Sequence, residues 1–422
     1  MQYRITAPDK IDATISLPAS KSISNRALMI HALTGSQELP DNLSDCDDTN
    51  VMAAALRDMP EVIDIGAAGT AMRFLTALMS VTEGRHVLTG TERMQHRPIG
   101  VLVDALRRLG ADVNYISADL QGQGVEGFPP LLIEGRQLEG GYIEIPGDVS
   151  SQYISALLMI GPVLKRGLEL RLTGDVVSRP YIDMTLQVMS DFGAQATWTD
   201  VDTITVEPEP YQDHCYWIEN DWSAASYWYE VLALTADDEA RIVLPGLLDG
   251  SRQGDSSVRY LFNMLGVKTT FVPLYDKRKT AVVLTRHDRV VPRLDYDFVN
   301  QPDLVQTVVT TCCALNVPFH FTGLASLRIK ETDRISALQT ELRKLGYELQ
   351  DRNDSELLWD GKRCRALPHV AIDTYEDHRM AMAFAPLSAV MPGLIINNPQ
   401  VVSKSYPRYW DDLRQVGFSI DT

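Results

Sequence analysis

The sequence predicts an α/β protein of two domains, each built from three copies of one supersecondary unit. Two observations support this prediction. The chain has 422 residues, of which 45% are hydrophobic, and this is enough apolar material for two ordinary cores. In addition, a pattern recurs along the chain in which an amphipathic helix ends at a glycine and is followed by an alternating strand.

Five clear copies of this pattern predict helices that end at a glycine, over 99–110, 182–193, 258–266, 335–346 and 409–417. Strands are predicted at 111–115 and, after a weaker helix at 49–59, at 61–65. The terminal glycines lie 83, 73, 80 and 71 residues apart, and such an interval holds a whole module with more than one helix. Chance helix ends of this kind occur in any α/β protein, so that simpler interpretation stays open.

The domain crossing is expected near residue 220. A strand-like run at 211–222 leads there into a predicted helix start at Ser223. The apolar stretch at 156–164 is far shorter than the roughly 20 residues that cross a bilayer, so it predicts a buried helix. An apolar helix is likewise predicted at 304–315, after Asp303.

Composition excludes several classes of function. The chain carries 39 Lys and Arg against 56 Asp and Glu, a net charge of -17, which disfavours a nucleic acid as the main partner. Its five scattered cysteines form no Cys-x-x-Cys pair, so we expect reduced thiols and no zinc site. The N-terminal residues lack the apolar core of a signal peptide, which predicts a cytoplasmic protein that does not contact a membrane.

Local cations nevertheless lie beside predicted helix starts. Three X-Pro pairs, at 97–98, 179–180 and 406–407, predict helix starts, and we expect Arg97, Ser178 and Lys404 on extended backbone just ahead of them. Ser150 is a predicted N-cap, and Gly69 permits a close approach at another helix start. Each feature alone is more often structural, but together they indicate sites for small anions. Phosphate-loop and dinucleotide glycine motifs are absent, so no nucleotide cofactor is expected.

Eight motifs then resemble, in order, those of the 3-phosphoshikimate 1-carboxyvinyltransferase (5-enolpyruvylshikimate-3-phosphate synthase) family of enolpyruvyl transferases. They run from residue 17 to residue 407. The motifs are LPASKSISNR at 17–26, AGTAMR at 68–73, RMQHRP at 93–98, VSSQ at 149–152, SRPY at 178–181, KETDR at 330–334, DHRMA at 377–381 and SKSYP at 403–407.

The resemblance implies the enolpyruvyl transferase fold, with two domains of three βαβαββ units each, an inside-out α/β barrel. It implies domains at 18–220 and at 1–17 with 221–422, with the active site in the cleft between them. The implied activity is transfer of the carboxyvinyl group of phosphoenolpyruvate to the 5-hydroxyl of shikimate 3-phosphate, with release of phosphate, in the shikimate pathway to chorismate and the aromatic amino acids. The enzyme is expected to act as a monomer on these two small molecules, without a cofactor.

The resemblance also implies the site residues. Shikimate 3-phosphate is expected to contact Lys21, Ser22, Arg26, Ser150, Ser151, Ser178, Asp303, Ser326 and Lys330. Phosphoenolpyruvate is expected to contact Lys21, Gly69, Arg97, Gln152, Arg334, Arg379 and Lys404.

Three positions depart from the family pattern. Ala67 stands where an Asn is frequent, Phe74 where a Pro is frequent, and Ser326 where some members place an Asn. None of them removes a charged group. We therefore expect activity, with an affinity for phosphoenolpyruvate or glyphosate that differs from that of other members, and one contact to shikimate 3-phosphate that depends on Ser326.

The chemistry requires an acid, a base and several cations around two anionic substrates. Asp303 is the candidate base for the hydroxyl proton, and Glu331 is the candidate that delivers and removes the proton at C3. Lys21 or Lys404 would stabilise the leaving phosphate, and Lys330 completes the catalytic set as a mobile cation. No metal is required. His378, between Asp377 and Arg379, is read as an orienting residue or as a general base.

Three rival functions are weighed against this one. A related enzyme class transfers the same group to a UDP-amino sugar and carries a reactive Cys near Arg97, yet 93–97 contains no Cys, and acidic neighbours disfavour a thiolate at Cys46. A non-enzymatic anion-binding protein would need the cations but not Asp303 or Glu331. An RNA-end-processing enzyme of related fold is disfavoured by the charge.

Overall fold

A computed structural model describes residues 1–36, 38–120, 122–276, 278–288 and 291–422, in which helices alternate with short strands. The strands are β1 Gln2–Thr6, β2 Asp12–Thr14, β3 Val62–Asp64, β4 Gly84–Thr89, β5 Asp112–Tyr115, β6 Leu131–Gly135, β7 Gly141–Pro146, β8 Leu168–Thr173, β9 Ala196–Trp198, β10 Thr203–Val206, β11 Arg241–Pro245, β12 Val267–Pro273, β13 Thr280–Arg286, β14 Leu294–Asp297, β15 Phe319–Thr322, β16 Gln350–Arg352, β17 Glu356–Trp359, β18 Ala371–Ile372, β19 Leu394–Asn397 and β20 Ser419–Asp421. The α-helices are α1 Lys21–Thr34, α2 Asp47–Asp58, α3 Gly69–Val81, α4 Glu92–Gln95, α5 Gly100–Arg108, α6 Ser151–Ile160, α7 Arg179–Asp191, α8 Trp222–Leu234, α9 Val258–Asn263, α10 Val305–Ala314, α11 Arg334–Lys344, α12 His378–Phe384 and α13 Tyr409–Val416.

The chain divides into two units. The N-terminal unit is Ala19–Ile218, and the C-terminal unit combines Met1–Pro18 with Glu219–Thr422. Each has a hydrophobic core of its own, with Phe74 and Phe192 buried in the N-terminal unit and Trp222, Trp228 and Trp359 buried in the C-terminal unit.

One four-stranded sheet pattern occurs five times in the described residues. The strand orders are β3-β4-β6-β5 and β7-β8-β10-β9 in the N-terminal unit, and β2-β11-β13-β12, β14-β15-β17-β16 and β18-β19-β1-β20 in the C-terminal unit. In each order the first pair is parallel and the other two pairs are antiparallel. With its helices, a sheet reads βαβαββ along the chain, as in β3, α3, β4, α5, β5 and β6.

A further pair of helices, α1 and α2, stands in the N-terminal unit without such a sheet in the described residues. Asp41, between these helices, makes a single parallel bridge to Trp217. The predicted two-domain α/β fold of repeated units is therefore confirmed, since the repeat is visible directly in the sheet topology.

The N-terminal strand closes a sheet at the other end of the chain. β1 pairs antiparallel with β19 on one side, with Tyr3 opposite Ile396, and with β20 on the other, with Ile5 opposite Ile420. β2 pairs in parallel with β11. Both strands belong to the C-terminal unit because their hydrogen-bond partners do.

Glycines end the predicted helices as expected. Gly110, Gly193, Gly266, Gly346 and Gly417 have φ of 100°, 85°, 95°, 94° and 108°, the left-handed region in which a side chain is strained. The helices before them are the observed α5, α7, α9, α11 and α13. The weaker prediction at 49–59 is also confirmed, as α2.

Several local predictions were wrong. Residues 211–222 form no strand beyond isolated bridges at Trp217 and Asn220, and α8 begins at Trp222, capped by Asp221. Ser178 is left-handed, with φ of 54°, and Lys404 lies in a 3-10 helix, Pro399–Lys404. Proline restricts only the residue directly before it, and neither Ser178 nor Lys404 holds that position.

The prolines also stand less regularly at helix starts than predicted. Pro180 is the second residue of α7, whereas Pro98 and Pro407 each precede their helix, α5 and α13, by two residues. The apolar run at 156–164 is buried as predicted, in α6 and the 3-10 helix Gly161–Val163. Within the described ranges, every helix is too short or too polar to span a bilayer.

A carboxyl group lies in the core of the C-terminal unit. Glu230 of α8 is 0% exposed, and its Oε1 accepts a hydrogen bond of 2.7 Å from the Thr310 hydroxyl of α10. Its Oε2 has no hydrogen-bond partner among the described residues. Burial raises the pKa of Glu230 well above its usual range, with Thr310 opposing the shift, so burial favours the neutral acid.

We expect Glu230→Gln to flatten the pH dependence of stability. An acid whose pKa is raised on folding holds an extra proton in the folded state between its unfolded and folded pKa values, so its contribution to the free energy of unfolding falls as pH rises by about 1.4 kcal/mol per pH unit. Between pH 5 and pH 7, the free energy of unfolding measured with urea should fall for the wild type relative to the variant, by up to about 1.4 kcal/mol per pH unit. Glu239→Gln, at a carboxylate that is 91% exposed, is the control, and parallel curves for Glu230→Gln and wild type would contradict the expectation.

Candidate active site

Four helix starts in the N-terminal unit carry the predicted anion ligands. They are the starts of α1, α3, α6 and α7, and these helices pack against one another. Ser20 caps α1 through a 3.4 Å hydrogen bond from the Ile23 N–H, and Ser150 caps α6 with a bond of the same length from the Gln152 N–H. The free N–H groups of a helix start favour an anion, so this end of the unit is suited to one.

Arg26 ties three of these helices together. Its side chain is only 3% exposed. It donates hydrogen bonds to the Thr185 hydroxyl at 2.7 Å, the Ser22 carbonyl at 2.9 Å, the Ser155 hydroxyl at 3.0 Å and the Tyr181 carbonyl at 3.3 Å. All four acceptors are neutral. Burial lowers the pKa of Arg26 to about 10, so the group stays charged at neutral pH without a carboxylate among these partners.

Lys21, in contrast, is paired with an acid. Its Nζ lies 3.2 Å from Asp48 Oδ2 at the start of α2, and both side chains are mostly buried. Asp48 therefore holds the ammonium group at the first turn of α1. Ser22 is half-buried on the same turn.

Gly69 and Arg97 lie in direct contact. A Cβ added to Gly69 would stand 2.5 Å from Arg97 Nη1, so the guanidinium lies flat against the first residue of α3. The buried Arg73 supports both sides of this contact by donating to the Gly69 carbonyl and the Pro98 carbonyl, each at 3.0 Å. Arg73 stands within a recognised motif, but no role was predicted for it.

The remaining predicted ligands of this unit stand at the starts of α6 and α7. The Gln152 amide donates to the Thr70 hydroxyl at 3.0 Å, which joins the starts of α6 and α3. Ser151 is half-buried, and Ser178 is buried at the N-cap position of α7. The structure therefore gathers all the predicted site residues of the N-terminal unit around mutually packed helix starts.

In the C-terminal unit, one carboxylate bridges two arginines. Asp303 lies in a 3-10 helix, Pro302–Leu304, and its two oxygens accept from Arg334 Nη1 at 3.2 Å and Arg379 Nη2 at 2.7 Å. The second nitrogen of Arg379, Nη1, donates to the Asp303 carbonyl at 3.2 Å and to the Tyr227 hydroxyl at 3.3 Å. Both arginines are almost completely buried.

Two more acids complete this cluster. Glu331 Oε2 accepts from Arg334 Nη2 at 2.9 Å, and Asp377 Oδ2 accepts from Arg334 Nε at 2.7 Å. Asp377 also caps α12, because its Oδ1 accepts from the Arg379 N–H at 2.9 Å. Asp377 thus orients both arginines, and its position before His378 in a recognised motif was the sequence signal that could have identified it.

The cluster is electrostatically coupled. Burial raises the pKa of Asp303, but Arg379, Lys330 and Arg334 outweigh it and hold that pKa well below its usual range. Burial lowers the pKa of Lys330, against the pull of Asp303. Asp303 is therefore ionised at neutral pH, and Lys330 gives up its proton more readily than an exposed lysine.

Lys404, Ser326 and Arg328 are placed differently. Lys404 Nζ contacts the Glu376 carbonyl at 3.4 Å, just before α12, and Ser326 lies in the 3-10 helix Ala325–Ile329 that leads to Lys330. Arg328 bonds to three carboxylates, Asp333 at 2.8 Å, Asp354 at 3.2 Å and Asp351. These carboxylates neutralise the charge of Arg328, which therefore joins the surrounding loops and is not a candidate ligand for a substrate anion.

The N-terminal unit offers cations and helix starts, and the C-terminal unit offers cations and a pair of carboxylates. In the parts of the chain that the structure describes, no three His, Cys, Asp or Glu side chains converge as a metal site would require. The carboxylates and cations of the C-terminal unit suit acid–base chemistry on an anionic substrate.

Comparison with known proteins decides the family. The family model of EPSP synthase (3-phosphoshikimate 1-carboxyvinyltransferase) matches residues 5–63 and 58–413. The chain belongs to the EPSP synthase family. A 3-phosphoshikimate 1-carboxyvinyltransferase of Bacteroides fragilis (strain ATCC 25285) is 60% identical over 420 residues, covering 100% of this chain and 99% of that protein. One from Shewanella piezotolerans is 35% identical over 436 residues, covering 97% and 98%.

Solved structures agree on the fold of this EPSP synthase family member. The EPSP synthase of Acinetobacter baumannii superposes with a TM-score of 0.77 at 20% identity, over 100% of both chains. The enolpyruvyl transferase NikO of Streptomyces tendae gives a TM-score of 0.72 at 16% identity, over 100% of this chain and 98% of that one.

We expect Gly69→Ala to weaken phosphoenolpyruvate binding without destabilising the protein. The new Cβ would displace the Arg97 guanidinium, and losing a charge-assisted hydrogen bond costs about 1.5–3 kcal/mol, roughly tenfold or more in dissociation constant. The melting temperature should hold, because Ala is the better helix former. Gly100→Ala is the matched control at the start of α5, where the nearest atom to a new Cβ is 3.3 Å away. Equal binding by both variants would contradict the role of this contact.

Proposed function

We propose that this member of the EPSP synthase family transfers the carboxyvinyl group of phosphoenolpyruvate to the 5-hydroxyl of shikimate 3-phosphate, releasing phosphate, in the shikimate pathway. The full-length relatives that carry the name 3-phosphoshikimate 1-carboxyvinyltransferase support this substrate pair. The observation that carries the proposal is the position of Asp303, held between Arg334 and Arg379, with Glu331 on the same Arg334.

The substrates would draw their ligands from both units. We assign shikimate 3-phosphate to the residues proposed for it from the family pattern, Lys21, Ser22, Arg26, Ser150, Ser151, Ser178, Asp303, Ser326 and Lys330. Phosphoenolpyruvate is assigned to Lys21, Gly69, Arg97, Gln152, Arg334, Arg379 and Lys404. Two anions side by side repel each other in a low-dielectric site, and these cations offset that repulsion.

The arginines suit the planar anionic groups of these substrates. A guanidinium fork matches a carboxylate or phosphate with two parallel hydrogen bonds. The N–H groups of Arg26 are already hydrogen-bonded to neutral acceptors, so Arg26 would contribute to anion binding as a fixed positive charge beneath the first turn of α1. Arg334 and Arg379 are instead bound to Asp303, and a substrate carboxylate would compete with Asp303 for them.

This competition activates the base. While the arginines hold Asp303, its pKa lies well below the usual range and it is a weak base. When the phosphoenolpyruvate carboxylate takes up part of the arginine charge, the pKa of Asp303 rises. Asp303 then accepts the proton of the 5-hydroxyl as the oxygen attacks C2 of phosphoenolpyruvate.

Glu331 handles the carbon proton. In the addition step it delivers a proton to C3 as the new C2–O bond forms, which gives a tetrahedral intermediate that still carries the phosphate. In the elimination step it takes a proton back from C3, the double bond re-forms and the C2–O bond to phosphate breaks. Lys21 or Lys404 stabilises the charge of the departing phosphate.

Other properties belong to the same proposal. The enzyme would act as a monomer in the cytoplasm, without a nucleic acid partner, a cofactor or a metal ion. Its net charge of -17 disfavours nucleic acid, and its five cysteines, none of which forms a disulfide in the described residues, suit a reducing compartment.

Phosphate release tests this function directly. Purified protein with phosphoenolpyruvate and shikimate 3-phosphate should release phosphate, and with phosphoenolpyruvate and a UDP-amino sugar it should not. Release only with the UDP-amino sugar would assign the rival reaction. Binding of both anions with no release in either mixture would favour the anion-binding protein.

We expect Glu331→Gln to bind both substrates but to lose turnover by at least about 10²-fold, because general acid–base catalysis contributes on that scale. Glutamine keeps an oxygen for Arg334 but cannot exchange the C3 proton. Steady-state kinetics and calorimetric titration with each substrate measure the two effects. Glu348→Gln is the control, since this carboxylate also forms an ion pair, 3.2 Å from Lys362, in the same unit. Wild-type turnover in Glu331→Gln would remove Glu331 from the mechanism.

A further inference from the structure

A buried acid without an assigned role lies close to the catalytic cluster of the C-terminal unit. Asp255 belongs to a 3-10 helix, Gly254–Ser257, and is 3% exposed. Its Oδ2 accepts a short hydrogen bond from the Ser223 hydroxyl. Its Oδ1 has no hydrogen-bond partner in the described part of the chain, so one oxygen of a buried carboxyl group is left unsatisfied. A buried polar atom without a hydrogen-bond partner is uncommon and calls for an explanation.

Asp255 and Asp303 are presented by matching pieces of structure. Each lies in a one-turn 3-10 helix, and both of these turns pack against α8. The same helix supplies Ser223, which bonds to Asp255, and Tyr227, which bonds to Arg379. Helix α8 therefore places the two carboxyl groups near each other and near one arginine.

Four charged or titratable groups interact with the Asp255 carboxyl group. Asp303 and Asp221 repel its negative charge, and Arg379 attracts it. The Tyr296 hydroxyl, on β14, also interacts with it. Arg379 is already in an ion pair with Asp303 at 2.7 Å, so the two carboxyl groups compete for the field of one cation.

We propose that Asp255 is a positioning residue for the reaction, which strengthens Asp303 as a proton acceptor by opposing the electrostatic hold of Arg379 on it. This inference rests on the proposed function, in which Asp303 is the base. Asp255 does not touch the substrate in this scheme. It acts only through its charge.

The protonation behaviour of Asp255 fits this role. Burial, followed by the charge of Asp303, raises the pKa of Asp255 to about 7, while Arg379 and the Ser223 hydroxyl oppose the shift. Asp255 is therefore neutral in mildly acidic solution and negative in mildly alkaline solution. When it is negative, like-charge repulsion raises the pKa of Asp303, which otherwise lies far below neutrality.

The coupling works in both directions. When Asp303 takes the proton of the substrate hydroxyl, it loses its charge, and Asp255 then ionises more easily.

Asp255→Asn tests the proposal through the pH dependence of kcat. Asparagine is neutral at every pH and keeps an oxygen for Ser223, so the variant should match wild type near pH 6. Above pH 8 only the wild type carries the extra charge, and it should be faster by about threefold to tenfold, since one unit in the pKa of a base is a tenfold change in proton affinity. A ratio that stays constant from pH 6 to pH 9 would indicate a structural role and overturn the proposal.

Ser223→Ala supplies a second, independent variant. The serine hydroxyl donates to the carboxylate and favours its charged form, so its removal should move the midpoint of the pH-dependent component upward by about one pH unit. Asp255→Asn should abolish this pH-dependent component of kcat altogether. If Ser223→Ala does not move the midpoint of the pH-dependent component of kcat, the assignment of that component to Asp255 is wrong. Thermal melting of both variants shows whether they are folded.

An infrared titration separates this inference from the proposed function. In the ligand-free protein, the carbonyl band of a protonated carboxyl group should disappear with a midpoint near neutral pH, and Asp255→Asn should lack this transition. Identical titrations of wild type and variant would overturn the role of Asp255 even if phosphate is released with shikimate 3-phosphate. Absence of phosphate release, with the Asp255 transition intact, would instead contradict the proposed function.

Discussion

The ion pairs of Asp303 with Arg334 and Arg379 are the interaction on which the chemistry of the C-terminal unit depends. They hold a candidate base and two cations in one buried cluster, with Glu331 on the same arginine. Burying a charge is costly unless the group is paired or fully hydrogen-bonded, and in this cluster the carboxylates neutralise the two arginines. The ion pairs that stabilise the buried arginines also lower the pKa of Asp303, which makes it a weaker base. In the proposed mechanism, the phosphoenolpyruvate carboxylate therefore replaces part of the contacts that hold the cluster together.

The N-terminal unit handles its cations in another way. Arg26 is buried among hydroxyl and carbonyl oxygens, and Arg97 is only half-buried against Gly69, with no internal carboxylate among the contacts described for either. At Arg26 and Arg97, positive charge that no described carboxylate contacts is thereby kept near helix starts, where N–H groups add to it, whereas Lys21 is paired with Asp48. The N-terminal unit therefore keeps positive charge at its helix starts, and the C-terminal unit holds acid–base groups whose strength depends on their own ion pairs with Arg334 and Arg379.

Local rules predicted the parts of this arrangement that depend on a few neighbouring residues. The helix stops at Gly110 and Gly417 follow from the left-handed backbone that glycine allows, and the cap at Ser150 follows from local hydrogen bonding. The contacts that define the site come instead from residues far apart in sequence. Arg26 reaches Ser155 and Thr185 because three helices pack together, and Asp255 meets the charge of Asp303 because both lie against α8. Such contacts depend on tertiary packing, which composition and periodicity do not specify. The same is true of the left-handed Ser178, which no proline rule governs.

The placement of β1 between β19 and β20 has a consequence for how the protein is made. In the described residues, Ala19–Ile218 has a hydrophobic core of its own, and its two sheets take no strand from the rest of the chain. β1 emerges before it, yet its partners are translated almost four hundred residues later. During that interval the backbone N–H and C=O groups of β1 lack their partners in the sheet and could pair with another chain. The polar and charged residues that alternate along it, from Gln2 to Thr6, reduce its tendency to pair with a neighbouring nascent chain.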